Sequence, residues 1–381
     1  MKSELTVMKF GGTSLENKER VFSVAEKIKK EKNKVVVIVS AQGDTTDNLL
    51  SLANEMNDSP DLRELDVLVS AGEQISMALL CMALEKIGVN AISLTGWQAG
   101  IQTCNCYGNA KIINIFTDRI LKELESHDAV VIAGFQGINK NEDITTMGRG
   151  GSDTSAIAIS AALNAKECKI YTDVNGVFTA DPRIVSNAEL INEISYDDMI
   201  KMADNGAKVL NKRSVRLAKK YGIEISVLSS MSNDEIGTSV KEVDFSANQI
   251  SSIAITENLF VLKINSYDFD YISEIIKNNK ISVFDTIFSE NECVFFINMD
   301  QVDILSRNIK ECKFSIDPNV SKITIISNNQ DSIFNNFCDI KSLLREKIKY
   351  SYVDECISIV VDESIGRESL NLIHEKYLME K

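Results

Sequence analysis

Apolar residues fall in two alternating patterns along the first 240 positions. Short continuous runs, such as Val35-Val36-Val37-Ile38-Val39, read as strands buried on both faces. Between them, Val21, Phe22, Val24, Ala25 and Ile28 recur at the spacing of one helix face. Strands are predicted at 4–10, 34–40, 89–94, 129–133, 169–172 and 224–228, with helices between. Strand, helix and buried strand in succession imply right-handed parallel βαβ units, and hence an α/β three-layer sandwich with a mainly parallel central sheet. From about residue 245 the texture changes. Glycine is reduced to Gly366, while Asn, Ile, Ser and Phe become frequent. Strands at 259–264, 281–288 and 293–297 alternate there with helices of about ten residues. Two small ferredoxin-like βαββαβ modules fit this part. The last helix places Leu370, Ile373, His374, Tyr377 and Leu378 on one face, so His374 reads as a packing or helix-end residue. The predicted division is residues 1–244 and 245–381.

Composition narrows the partners. The 381 residues carry a net charge of −14 spread over both parts, which argues against nucleic acid or an anionic membrane. No apolar run is expected to reach transmembrane length, and no signal-peptide pattern opens the chain. The eight cysteines are scattered, with Cys104 and Cys106 the one close pair. Reduced, buried thiols of a cytoplasmic protein are the expectation, and with two histidines in the chain no zinc set forms.

The candidate chemistry lies at strand ends, where open α/β sheets bind ligands. Lys9-Phe10-Gly11-Gly12-Thr13-Ser14 closes the first strand with a cation, two glycines and two hydroxyls. Such a turn cradles an anion on backbone N–H groups, although a Gly-Gly turn also serves simple chain reversal. It is not a Walker A loop, because no Gly-Lys-Ser/Thr follows. Thr145–Thr154 sets Arg149 among Gly148, Gly150 and Gly151, ahead of Ser152 and Asp153. An arginine held there can grip a carboxylate or phosphate with two parallel hydrogen bonds. A third cluster, 171–183, begins as a strand and ends in a turn containing Asp181, Pro182 and Arg183; a nucleotide site and a surface turn both fit it. Glu73 follows Gly72 inside an apolar stretch, and such a glutamate needs a partner if buried.

Taken in order, the segments 9–14, 40–47, 69–76, 95–100, 135–137, 145–155, 171–183, 194–199 and 206–210 resemble the amino acid kinase family, and its aspartokinase branch most. The resemblance covers 4–240. It implies ATP-dependent phosphorylation of the β-carboxylate of L-aspartate to 4-phospho-L-aspartate, the entry to lysine, threonine and methionine synthesis. A carboxylate is already a nucleophile, so no general base is needed. By the same resemblance, Lys9 would stabilise the transferring phosphoryl group and Asp153 would orient the lysines around it. Gly11, Gly12 and Thr13 would receive phosphate oxygens, and Lys208 would reach them from the other side. Arg149 would clamp the substrate's α-carboxylate and Glu73 its ammonium, with Ser40, Thr45 and Ser152 adding hydrogen bonds. Thr172, Asp173, Phe178, Asp181 and Arg183 would line the nucleotide site. Mg2+ would arrive with ATP, held by phosphate oxygens and water, with no protein metal cage.

By the same resemblance, the C-terminal modules would be paired, partly interleaved ACT-like domains, implying regulation and a homodimer or higher homo-oligomer. Three departures from the family pattern stand in the first part: Asn211-Lys212 for a common His-Pro, Gln42 for a methionine and Tyr107 for a histidine. The expected effector turns, 265–268 and 327–331, lack glycine and proline, so weak or absent feedback by lysine or threonine is expected. Two other readings remain: a kinase for another acidic amino acid, and a non-catalytic amino-acid sensor.

Overall fold

The computed structural model describes residues 5–207, 209–232, 236–243, 250–279, 281–327 and 330–379. It divides into two compact units. The first comprises Met1–Val177, Leu190–Ile200 and Lys208–Val243; the second comprises Phe178–Glu189, Lys201–Ala207 and Asp244–Lys381. Two short segments from within the first 244 residues therefore belong with the second unit.

The first unit is built on an eight-stranded sheet. Its strands run in the order Glu193–Ser195, Gly237–Lys241, Glu224–Ser229, Glu167–Thr172, Leu5–Phe10, Lys34–Val39, Ala129–Ala133 and Ala91–Leu94. Every pair is parallel except Glu224–Ser229 with Gly237–Lys241. The six strands expected from apolar runs are all present. The last two strands at one side of the sheet, 193–195 and 237–241, were not foreseen, nor was a separate four-stranded sheet made of Ile101–Thr103, Ile112–Ile115, Gln136–Ile138 and Ile144–Thr146. Those strands are three to five residues long and mostly polar, too short for a hydrophobic period to register.

Alternation along Leu5–Phe10 sorts its side chains between two helical layers. Met8 and Phe10 join Val21, Val24, Ala25 and Ile28 of the helix Lys18–Lys30, and Leu80 and Leu84 of the helix Leu62–Lys86. Asn17 caps the first of these helices, accepting from the Arg20 N–H at 3.0 Å. Lys9 points the other way, toward the layer that contains the helix Gly151–Ala162. The helix Leu62–Lys86 corrects one expectation: it is long and apolar enough to cross a membrane by length and composition. Its Asp66 and Glu73 are buried, and Met77, Leu80, Ala83 and Leu84 pack in the core.

In the second unit one six-stranded antiparallel sheet serves both βαββαβ modules. Its order is Val283–Phe288, Glu292–Asn298, Ile250–Asn265, Phe314–Ser327, Ile357–Asp362 and Ile348–Val353. The two central strands are 16 and 14 residues long and pair along most of their length. Each module takes half of each central strand, so the second module receives its last strand from the start of the first. That is why the pattern shows strands at 259–264 and 293–297 but not the long strand from Ile250. Register shifts near Thr256 and Leu259 break the alternation, and Asn258 and Asn319 take left-handed φ values of 59° and 57° beside them. Helices Phe269–Asn278 and Val302–Asn308 cover one half of the sheet, and Gln330–Leu344 and Glu363–His374 the other. His374 ends its helix fully buried, with Thr179 Oγ1 2.9 Å from its Nε2. All eight cysteines are free thiols, but Cys106 and Cys338 are exposed, contrary to the expectation of burial throughout.

Candidate active site

The parallel strands 5–10, 34–39, 129–133 and 167–172 end side by side, so the loops after them converge. Lys9 stands on the strand face turned toward the helix Gly151–Ala162. Its Nζ lies 2.6 Å from Asp153 Oδ1, with only 11% and 12% of the two side chains exposed. Asp153 occupies the first turn of that helix, where unpaired N–H groups and the helix dipole favour a carboxylate. A buried ammonium at a strand end, beside a glycine loop, is thus fixed by strand alternation and a helix start together.

The glycine loop is tightly built. The Gly11 N–H donates to the Tyr171 carbonyl at 3.2 Å, and the Gly43 N–H to the Gly12 carbonyl at 3.1 Å. The Gly11 amide is therefore already paired, while Gly12 and Thr13 open the 3-10 turn Gly12–Leu15, whose first N–H groups have no partner within the turn. A side chain at Gly12 would meet the Ala41 carbonyl oxygen at 2.5 Å; one at Gly11 would stand 3.6 Å from Lys9 Nζ. Gly12 therefore has no room for a Cβ against the neighbouring loop, whereas one at Gly11 would make only an ordinary contact beside the lysine. Phe10 stacks on Tyr171 beneath, with centroids 4.6 Å apart.

Glu73 is 3% exposed in the middle of the helix Leu62–Lys86. Its Oε1 accepts from the Ala41 N–H at 3.0 Å, whereas Oε2 is buried with no partner among the described residues. Burial lifts its pKa from 4.5 to about 7, against the pull of the Ala41 N–H. Gly72 lets the helix approach this loop, since a Cβ there would lie 2.7 Å from that of Ala41. Ser40 donates its N–H to the Phe10 carbonyl, and the Thr45 hydroxyl donates to Gln42. Ser152 is buried against Gly134, and Ser14 Oγ is a second buried polar atom without a partner among the described residues.

Arg149 is exposed in a loop between Gly148 and Gly150, which have φ of 70° and 72°. Its guanidinium takes no carboxylate among the described residues. Thr172 and Asp173 follow the strand Glu167–Thr172, with the Thr172 hydroxyl 3.0 Å from Asp173 Oδ1. Phe178, Asp181 and Arg183 belong to the second unit. There Asp181 binds the Arg183 guanidinium through Nε at 3.0 Å and Nη2 at 2.7 Å, which holds its carboxyl below the usual range. Lys208 lies outside the described residues. Among the described residues no group of three or more His, Cys, Asp or Glu is placed to hold a metal ion.

The pattern of the amino acid kinase family matches residues 4–229. The chain belongs to the amino acid kinase family. Curated relatives agree: it is 53% identical over 241 residues to an aspartokinase of Bacillus sp. (strain MGA3), and 50% identical over 234 residues to one of Corynebacterium glutamicum. These matches cover 62% and 60% of this chain but 58% and 56% of the relatives, so the shared part is less than two-thirds of their length. In fold, the chain is similar to E. coli aspartokinase III, solved in complex with aspartate and ADP. The TM-score is 0.84 at 22% identity, over 99% of this chain and 100% of that one. Membership in the family and the similarity of fold agree with the α/β sandwich and the appended small modules.

Some residues that shape this centre were not among the candidates read from the sequence. Asp66, 1% exposed, accepts from the Gly108 N–H at 3.0 Å, the Thr146 N–H at 2.9 Å and the Thr146 hydroxyl at 2.6 Å. It ties the turn at Gly108 to the end of the strand Ile144–Thr146, three residues before Arg149. Phe135 takes a left-handed φ of 68°, and its N–H donates to Ser155 Oγ at 3.1 Å. An acidic residue in an apolar helical stretch was the available clue to Asp66; Phe135 falls in the matching segment 135–137, but nothing in the sequence signals its left-handed backbone.

Proposed function

We propose that this chain is an aspartate kinase, transferring the γ-phosphoryl group of ATP to the β-carboxylate of L-aspartate. The observation that carries the reading is the buried Lys9–Asp153 pair beside Gly11 and Gly12, with the unpartnered Glu73 oxygen close to the same loops. The similarity to curated aspartokinases selects aspartate among acidic acceptors. On this reading, residues 1–244 supply the catalytic part, and the C-terminal modules serve regulation and self-association as ACT domains. On the same reading the protein would act in the cytoplasm, at the head of lysine, threonine and methionine synthesis.

The chemistry follows from alignment and charge. The acceptor carboxylate attacks the γ-phosphorus in line, and the bond from that phosphorus to the β,γ-bridging oxygen breaks, releasing ADP. Lys9 would neutralise charge spreading over the equatorial oxygens, fixed by Asp153 so that no reorganisation is needed at that moment. The Gly12 and Thr13 amides would take phosphate oxygens. Glu73 Oε2 would accept the substrate ammonium, and Arg149 would grip its α-carboxylate with two parallel hydrogen bonds. These two contacts would fix the head group, and Ser40, Thr45 and Ser152 would add hydroxyls. Thr172 and Asp173 would contact the nucleotide, as would Phe178, Asp181, Arg183 and Lys208. Mg2+ bound to the phosphates would supply further neutralisation.

Incubation with ATP, Mg2+ and hydroxylamine across a panel of amino acids tests the reading. Acyl-hydroxamate with aspartate is expected. Product with a different acid would redirect the specificity, and none with any acid would make the protein a non-catalytic binder.

A further inference from the structure

Asn211 departs from the family's usual histidine, and the structure gives it two tasks. Its Oδ1 accepts from the Arg213 N–H at 2.9 Å, capping the helix Lys212–Tyr221, while its Nδ2 donates to the Arg149 carbonyl at 3.1 Å. Arg213 reaches the same loop two residues earlier. Its Nη1 donates to the Met147 carbonyl at 2.8 Å and its Nη2 to Asn109 Oδ1 at 2.6 Å. The space beside Gly150 that a Cβ would need is filled by the Asn211 side chain. The carbonyls on both sides of Gly148 are thus held from one helix start.

We infer that Asn211 and Arg213 are positioning residues that hold the Arg149 loop in its carboxylate-binding form. The inference rests on the reading that Arg149 receives the substrate's α-carboxylate. A loop with glycines at 148, 150 and 151 has many backbone states, and ordering it on substrate arrival would cost affinity. The clamp removes most of that cost in advance. It stands on firm ground, because Asn109 follows Gly108, and Asp66 ties Gly108 to Thr146, the residue before Met147. Arg213 suits the task because its planar fork presents two separate N–H donors, Nη1 and Nη2, to acceptors on different segments.

Asn211→Asp separates the two tasks. Aspartate at that position still caps the helix but offers no donor to the Arg149 carbonyl. Hydroxamate kinetics on Asn211→Asp and Arg213→Lys are expected to show the KM for aspartate rising about 5- to 20-fold, with kcat and the KM for ATP within about twofold. In an Arg149→Ala background the same substitutions should add less than about twofold, because the loop then has nothing left to position. Trypsin cleavage after Arg149, read by mass spectrometry, should quicken several-fold in both variants while the thermal midpoint of Asn211→Asp stays at the wild-type value. An unchanged aspartate KM, an equal rise in the KM for ATP, or full additivity with Arg149→Ala would overturn the clamp. If the wild type makes no hydroxamate from aspartate, the substrate reading fails by itself. The proteolysis then decides the clamp, and unchanged cleavage after Arg149 would sink it.

Discussion

Lys9 is held by strand alternation and by a carboxylate in the first turn of a helix, so its ammonium has one place to be. On the proposed reading, substituting it with alanine would remove charge at the phosphoryl group without touching the groups assigned to the acceptor. The expected outcome is a fall in kcat of about 100- to 1,000-fold, with the KM for aspartate changed less than about threefold. Near-normal turnover in the hydroxamate assay would remove Lys9 from its role. Glu73 gives a second test at this scale, through its pKa of about 7. The folded chain keeps this proton where the unfolded chain has lost it, so stability without substrate falls as pH rises from about 4.5 to about 7. The whole effect is about 3 kcal/mol. An ammonium arriving at Oε2 favours the ionised form, so binding releases this proton and tightens as pH rises through 7. The KM for aspartate is expected to fall between pH 6 and 8, and Glu73→Gln should flatten that slope. A slope that survives in Glu73→Gln assigns the titration elsewhere. The sequence marked Lys9, Glu73 and Arg149 as polar groups in unusual settings. It could not show that one Glu73 oxygen is paired and the other is not, since that depends on where the Ala41 amide falls.

At the scale of elements, the glycine loop is a backbone contact and not only a flexible turn. Gly12→Ala would set a Cβ 2.5 Å from the Ala41 carbonyl oxygen, which belongs to a neighbouring loop and cannot rotate away. A loss of about 1–3 kcal/mol in stability is expected, together with a weaker KM for ATP. Denaturant melts and ATP kinetics measure both, and a variant as stable as the wild type would mean the two loops part easily. The parallel strands were legible because burial on both faces leaves continuous apolar runs. The short strands of the four-stranded sheet were not, and neither was the full length of Ile250–Asn265. There the pairing is set by partners far along the chain, and bulges interrupt the period.

For the whole molecule, the compact units do not follow the linear order. Ala180 and Val185 are buried in the same cluster as Ile253, Ile325, Ile359, Leu370 and Ile373 of the C-terminal sheet and its helices. The Ile253 N–H also donates to the Thr179 carbonyl at 2.8 Å. Asn205, from the other short segment, accepts from Lys322 Nζ at 3.0 Å, and that buried lysine also pairs with Asp285. A chain truncated after residue 243 would leave these apolar groups uncovered. It is expected to aggregate or bind a hydrophobic dye strongly, and a monodisperse, active fragment would contradict that. The effector turns make a prediction at the same scale. The 265–268 turn is a 3-10 turn capped by Asn265, without glycine or proline, whereas 328–329 lie outside the described residues. Lysine and threonine, titrated singly and together, are expected to leave the activity largely unchanged; strong inhibition at submillimolar levels would refute this.

The sequence by itself determined the α/β class, six of the eight strands of the main sheet, the family and the types of residue at the strand ends. It did so because burial and chemistry at those places are local properties of a few consecutive residues. Only the tertiary structure decided that Lys9 meets Asp153, that Glu73 keeps one oxygen free, that Asn211 reaches Arg149, and that 178–189 and 201–207 join the C-terminal unit. Each of those depends on contacts between residues from about 30 to nearly 200 positions apart. Lys9 to Ser14 supplies the loop; the packing of three other segments against it makes the loop a site.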